Sequence, residues 1–255
     1  MGAVMILAIL QARLSSSRLP GKVLKPIMDK PMLAYQLERL ARCKNIDQLI
    51  VATSDHPEDH AIANLCQKLS IPCFHGPLED VLARFYLAAE NYQPTHIVRL
   101  TGDCPLADPE LIDELISYHV QGGYDYSSNC HVHTFPDGLD AEILTYQSLK
   151  TIYQQAHTPA EHEHVTYYVH QHKADFNIGL LSRTPSLAHL RWTVDEPADF
   201  ELVKHIYERL YPLDPNFSTN DILSLIEREP ELATLNTHHQ RNEGLARSLA
   251  KESHS

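Results

Sequence analysis

"QARLSSSRLPGKVLKP", residues 11–26, follows an apolar run at 4–10 and precedes a helix-like stretch that opens at Pro31. Residues 11–30 hold five basic side chains, Arg13, Arg18, Lys22, Lys25 and Lys30, against one acid, Asp29. The 255-residue chain carries a formal net charge of −12, so this loop reverses the prevailing sign. A solvated surface loop, an RNA contact and a polyphosphate cradle all compete for such a segment. RNA fits poorly, because binding a phosphate backbone needs an extended basic surface and the chain's pI is near 5.7. Serines and a glycine let backbone N–H groups and hydroxyls approach an anion closely. Arg13 and Arg18 add forked donors, and Lys22 adds a compact charge. These details favour polyphosphate. The loop contains neither G-x-x-x-x-G-K-[ST] nor G-x-G-x-x-G, so it is neither of the two common phosphate fingerprints.

Working outward from the loop, the first 130 residues alternate strand and helix patterns. Apolar, β-branched runs fall at 4–10, 48–53, 72–75 and 96–101, with helical periodicity at 31–43, 57–69, 78–92 and 109–120. That alternation predicts a mostly parallel sheet covered on both faces, with ligands beyond the carboxyl ends of its strands. Both the basic loop and "GDCP" at 102–105 sit at such ends. From about residue 124 the rhythm changes. Extended runs at 124–133 and 139–144 flank "TFPDG", helices are expected at 146–157 and 161–171, and strands at 176–181 and 190–194. Residues 124–190 read as an insertion or lid on one domain spanning 1–255. Helices at 197–211 and 219–227 close the fold, and the polar tail from Glu229 is expected to pack loosely.

At 43% hydrophobic and 21% charged, the composition suits a chain with a full core. No apolar run approaches the roughly 18 residues that span a bilayer, and "MGAVMILAIL" reads as a buried strand instead of a signal peptide. The five cysteines (Cys43, Cys66, Cys73, Cys104 and Cys130) are scattered without a C-x-x-C pair, which points to reduced thiols and a cytoplasmic setting. Among the 17 histidines, "HEHVTYYVHQH" brings together His162, His164, His170 and His172. Their spacing along a helix does not converge on zinc, so a surface or hinge role is expected.

The loop and the residues adjoining it, "QARLSSSRLPGKVLKPIMDKPML", resemble the N-terminal signature of the sugar-nucleotide cytidylyltransferases. That family includes the CMP-Kdo synthetases and acylneuraminate cytidylyltransferases, and the resemblance is strongest to its spore-coat polysaccharide group. It continues through "EDVLARF" (79–85), "RLTGDCPLADPELID" (99–113), "FPDGLDAEIL" (135–144), "EHEHVTYYV" (161–169), "RWTVDEPADFELV" (191–203) and "NEG" (242–244), so it covers nearly the whole chain in order. One departure is Ser15, where that group often carries glycine. The resemblance implies a three-layer α/β/α sandwich of the nucleotide-diphospho-sugar transferase type, Rossmann-like, with a mixed and mainly parallel sheet. It implies transfer of CMP from CTP to a sugar or sugar acid, with pyrophosphate released, for a surface glycan. It also implies a homodimer formed through the lid; neither nucleic acid nor membrane is expected as a partner, given the acidic pI and the short apolar runs.

Site residues are implied by the same resemblance. The nucleotide would meet Gln11, Ala12, Arg13, Ser16, Arg18, Lys22, Arg84, Thr101, Gly102 and Asp103. Asp103 and Asp195 would hold Mg²⁺, which prefers oxygen ligands and typically takes one or two carboxylates plus phosphates. Read alone, Asp103 is a turn residue and Asp195 the N-cap of the helix after it. Arg13, Lys22, Asp103 and Asp195 would carry the chemistry by neutralising charge on the phosphoryl oxygens and leaving group. Asp137, Gly138, Asp140, Glu142 and His164 would meet the acceptor, Asp140 and Glu142 lying on one strand face. A glycosyltransferase of related architecture and a non-catalytic nucleotide-binding protein are the rivals. A glycosyltransferase usually shows D-x-D, whereas "GDC" offers one acid.

Overall fold

The computed structural model describes residues 4–237 together with 241 and 249. Strand β1 (Ile6–Gln11) is an interior strand of the sheet, with residues 6–10 all buried. A strand covered on both faces is expected to be apolar throughout, and "ILAIL" is. It pairs in parallel with β4 (Gln48–Ser54) on one side and β6 (His96–Thr101) on the other, and β4 pairs in parallel with β5 (Cys73–Gly76). Between β1 and β4 come a two-strand hairpin, β2 (Pro26–Ile27) and β3 (Lys30–Pro31), and helix α1 (Met32–Leu40). Helices α2 (His60–Lys68), α3 (Val81–Glu90) and α4 (Pro109–Gly122) complete the crossovers. Helix α4 shows how sequence sets its ends. The Asp108 side chain caps Glu110 and Leu111 N–H, Pro109 opens the first turn, and Gly123 at φ 62° ends it.

The second half extends the same sheet. Strands β7 (Tyr126–Ser128), β8 (Glu142–Thr145) and β9 (Ile178–Leu180) give the order β5-β4-β1-β6-β8-β7-β9, with β8 antiparallel to both neighbours. Helices α5 (Tyr146–Gln155), α6 (Pro159–Glu163) and α7 (Tyr167–Gln171) join α3 on one face. Helices α1, α2, α4, α8 (Pro197–Leu210) and α9 (Thr219–Arg228) cover the other. The layers form the expected α/β/α sandwich. Among the described residues no helix is long and apolar enough to cross a membrane.

Three local expectations fail for identifiable reasons. The helix expected at 161–171 breaks at His164–Thr166, because Thr166 turns its hydroxyl to Glu142 at 2.7 Å. The strand expected at 190–194 makes only one isolated bridge, Asp137 to Arg191. Its N–H groups bond loops instead: Trp192 and Thr193 donate to Asp137 O, and Val194 donates to Asp103 O. The part of the tail that is described without a break, 229–237, packs, with Leu232 and Asn236 buried. The "NEG" motif at 242–244 lies outside the described residues.

Gly138 fixes the approach of these segments. At φ +106°, a Cβ there would stand 2.3 Å from Thr193 N and 2.5 Å from the Trp192 carbonyl carbon. Gly138→Ala is therefore expected to cost at least about 3 kcal/mol, since backbone strain and a backbone clash add. Gly123→Ala meets nothing within 4 Å and should cost only about 1–2 kcal/mol of left-handed strain. Urea unfolding of both variants checks the difference.

Candidate active site

The registers Gln11↔Ala52 and Gln11↔Thr101 align the carboxyl ends of β4, β1 and β6. The basic loop and "GDCP" consequently start side by side, with Gly102 N–H donating to Gln11 O at 2.7 Å. Leu19 and Val23 anchor the loop in the core, and Gly21, at φ 69°, turns it back so that its N–H reaches Leu14 O. A residue absent from the expected set pins its start. Buried Asp59 accepts from Leu14 N–H at 2.7 Å and from the Ser54 hydroxyl.

Lys22 is 8% exposed, and its Nζ donates to Val194 O and to Asp195 Oδ1, each at 2.8 Å. The same nitrogen lies 3.7 Å from Asp103 Oδ2. Two acids 92 positions apart thus converge on one cation. Arg18 adds a 3.0 Å ion pair to Asp195. Asp195 is not the N-cap of α8; Glu196 is, in a capping box with Asp199. Its carboxylate is therefore left to face the loop. Burial pushes Asp195 up, but Lys22, Arg18 and Arg191 outweigh burial and hold it below the ordinary carboxylate range. Asp103 accepts from the Thr101 hydroxyl at 2.5 Å. Arg13 is more open and pairs with Glu163 at 3.9 Å.

Two cavities meet at these carboxylates. One, of about 420 Å³, is lined by Gln11, Ala12, Arg13, Ser16, Lys22 and Gly102 among others. The second, of about 300 Å³, is lined by Asp137, Asp140, Glu142, Thr166, Tyr167 and Arg191 among others. Arg18, Arg99, Thr101, Asp103, His164 and Asp195 belong to both walls. Arg84 lines neither. It is fully buried, and its guanidinium donates to the Pro77 and Leu78 carbonyls, which makes it a support for residues 77–78.

Within the second cavity the acids differ sharply. Asp137 bonds Arg191 Nη1 at 2.8 Å, and Asp140 bonds Arg241 Nη2 at 2.5 Å. Burial and the neighbouring acids Asp137 and Asp103 push Asp140 up to about 7 against the pull of Arg241. Glu142 lies deeper and accepts from Arg99, from the Tyr126 hydroxyl at 2.5 Å and from Thr166. Burial raises its carboxyl, but Arg99 and these hydroxyls overcome burial and leave it well below the ordinary value. Sequence reading missed Arg99, Arg191 and Arg241. An arginine inside an apolar run, as in "HIVRLT" and "LRWTV", was the available signal for the first two.

The cytidylyltransferase family matches residues 7–235. The chain belongs to this family. It is 35% identical over 239 residues to the spore coat polysaccharide biosynthesis protein SpsF of Bacillus subtilis, covering 90% of this chain and 97% of that one. It is also 35% identical over 113 residues to 3-deoxy-manno-octulosonate cytidylyltransferase of Geobacter sulfurreducens, covering 44% of each chain. A cytidylyltransferase structure from Leptospira borgpetersenii superposes with a TM-score of 0.87 at 29% identity, covering 94% of this chain and all of that one. This cytidylyltransferase is thus a nucleotidyltransferase by family, with the related three-layer fold.

The Arg99–Glu142 pair gives a stability test. Glu142→Gln leaves half-buried Arg99 without its counter-charge and should cost about 3 kcal/mol at pH 7, the low end for a buried pair. The folded Glu142 carboxyl titrates below its ordinary value of 4.5, so its contribution is present above that pH and is lost as pH falls toward the folded value. Denaturant unfolding should show the gap between wild type and variant narrowing as pH falls below about 4. A gap that stays constant would place the cost elsewhere.

Proposed function

We propose that this cytidylyltransferase transfers CMP from CTP to a sugar acid, with pyrophosphate released, in the building of a surface glycan. The observation that carries the reading is the meeting of two cavities at Asp103, Asp195 and Arg18. CTP takes the loop cavity, where Arg13, Ser16, Arg18 and Lys22 hold its phosphates. The acceptor takes the second cavity, with Asp137, Asp140 and His164 toward its polar groups and Gly138 keeping that wall close. An acceptor hydroxyl oxygen attacks the α-phosphorus and gives up its proton to water, the bond to the pyrophosphate oxygen breaks, and Lys22 and Arg18 stabilise the leaving charge. The sugar acid and the glycan rest on the names of the octulosonate enzyme and the spore coat protein.

Asp103 and Asp195 suit Mg²⁺. Both are oxygen donors, and both already converge on a stand-in cation, Lys22 Nζ. Bound there, the ion would supply Lewis-acid neutralisation of phosphate charge. A cytoplasmic setting and a homodimer through 124–190, whose strand β9 is the edge of the sheet, belong to the same proposal.

Asp103→Asn and Asp195→Asn should each lower pyrophosphate release from CTP by orders of magnitude. The double variant should be little worse than either single, because groups serving one ion act as a unit. Multiplicative losses in steady-state rates would mean that the two acids serve separate tasks.

A further inference from the structure

We infer that His131, His170 and Glu142 form a second metal site on the wall of the acceptor cavity, suited to a divalent transition-metal ion of the Zn²⁺ class. The three come from separate elements: the loop after β7, helix α7 and the first residue of β8. One ligand atom from each lies within 4.8 Å of the other two. The two imidazole rings sit 3.9 Å apart, centre to centre, and nearly perpendicular at 74°. All three residues line the second cavity, so an ion held by them keeps open positions toward whatever occupies it.

The donor set selects the class of ion. Two imidazoles and one carboxylate favour Zn²⁺, Co²⁺ or Ni²⁺ over Mg²⁺, which prefers all-oxygen surroundings. The Asp103–Asp195 pair is the opposite case. Burial holds both imidazoles neutral at pH 7, which is the ligating form. Glu142 is ionised, and its orientation is fixed from outside the site. Tyr126 and Thr166 hold Oε1, and Arg99 approaches Oε2. Outer groups of this kind orient metal ligands and tune their affinity. Tyr126 does so twice, since its hydroxyl also lies 3.0 Å from His131 Nε2. Arg99 offsets the carboxylate charge, so the affinity should fall below that of a site with an unpaired acid. The metal site does not depend on the nucleotide reading. It uses His170 from the "HEHVTYYVHQH" stretch, whose own four histidines do not converge; the partner that completes it, His131, lies 39 positions earlier.

The full chain, stripped with a chelator and returned to buffer with excess Mg²⁺, is titrated with Co²⁺ and followed by visible absorption. The expected result is one Co²⁺ per chain with the strong bands of a four- or five-coordinate site containing nitrogen, displaced by Zn²⁺. His131→Ala and His170→Ala should each weaken Co²⁺ by about tenfold or more with an unchanged far-ultraviolet circular dichroism spectrum. The Asp103→Asn/Asp195→Asn double variant should bind Co²⁺ as wild type does. His131 lies in a loop, so its variant decides the matter if His170→Ala unsettles α7. Wild type showing only the spectrum of free Co²⁺, His131→Ala binding normally, or loss of the bands in the double aspartate variant would each overturn the inference.

Discussion

The buried guanidinium of Arg191 is the charge on which the geometry of the site depends. Its Nε and Nη2 bond both oxygens of Asp199 at 2.9 and 3.0 Å, and its Nη1 bonds Asp137 at 2.8 Å. The same side chain reaches Asp195 at 3.5 Å. One cation thereby ties the loop at Asp137 to the first turn of α8 and to the acid that faces Lys22. Asp199 is also fixed by N–H groups of Asp195 and Glu196 and by the Asn236 amide. A buried charge cluster of this kind adds little net stability, but breaking one member leaves the others uncompensated. Its role is to hold position.

That constraint explains why the site is divided as it is. With Asp199 and Glu196 completing the end of α8, Asp195 is left for Lys22 and Arg18. The basic loop, pinned by Asp59 and by its own core anchors, brings its cations to the carboxyl edge of the sheet. On the far side Asp137 pairs with both Arg191 and Arg241, Asp140 with Arg241, and Glu142 with Arg99. Acids and bases are therefore paired on the walls of both cavities.

The strands β1, β4 and β6 and the helices between them were legible because buried parallel strands and amphipathic helices leave a periodic trace. The unusual sign of the loop was legible because residues 11–30 hold five cations in a chain of net charge −12. Asp103 and Asp195 were reached through resemblance; nothing local distinguishes either from a turn or cap residue. What escaped reading was non-local. No periodicity announces that Asp59 holds Leu14, that Thr166 breaks a helix to reach Glu142, or that Arg241 returns to Asp140. Arg84 shows the converse: a basic residue in a suggestive motif that is fully buried and bonds its own neighbouring carbonyls through Nε and Nη2.

The most direct test of a CTP-and-acceptor site is product analysis. The purified chain is incubated with CTP, Mg²⁺ and a panel of sugar acids and sugar phosphates, and CMP conjugates and pyrophosphate are measured by mass spectrometry. The account predicts a CMP–sugar acid conjugate with one pyrophosphate per conjugate, and much less product from ATP, GTP or UTP. Equal use of all four triphosphates, or CTP binding without pyrophosphate release for any acceptor, would contradict it.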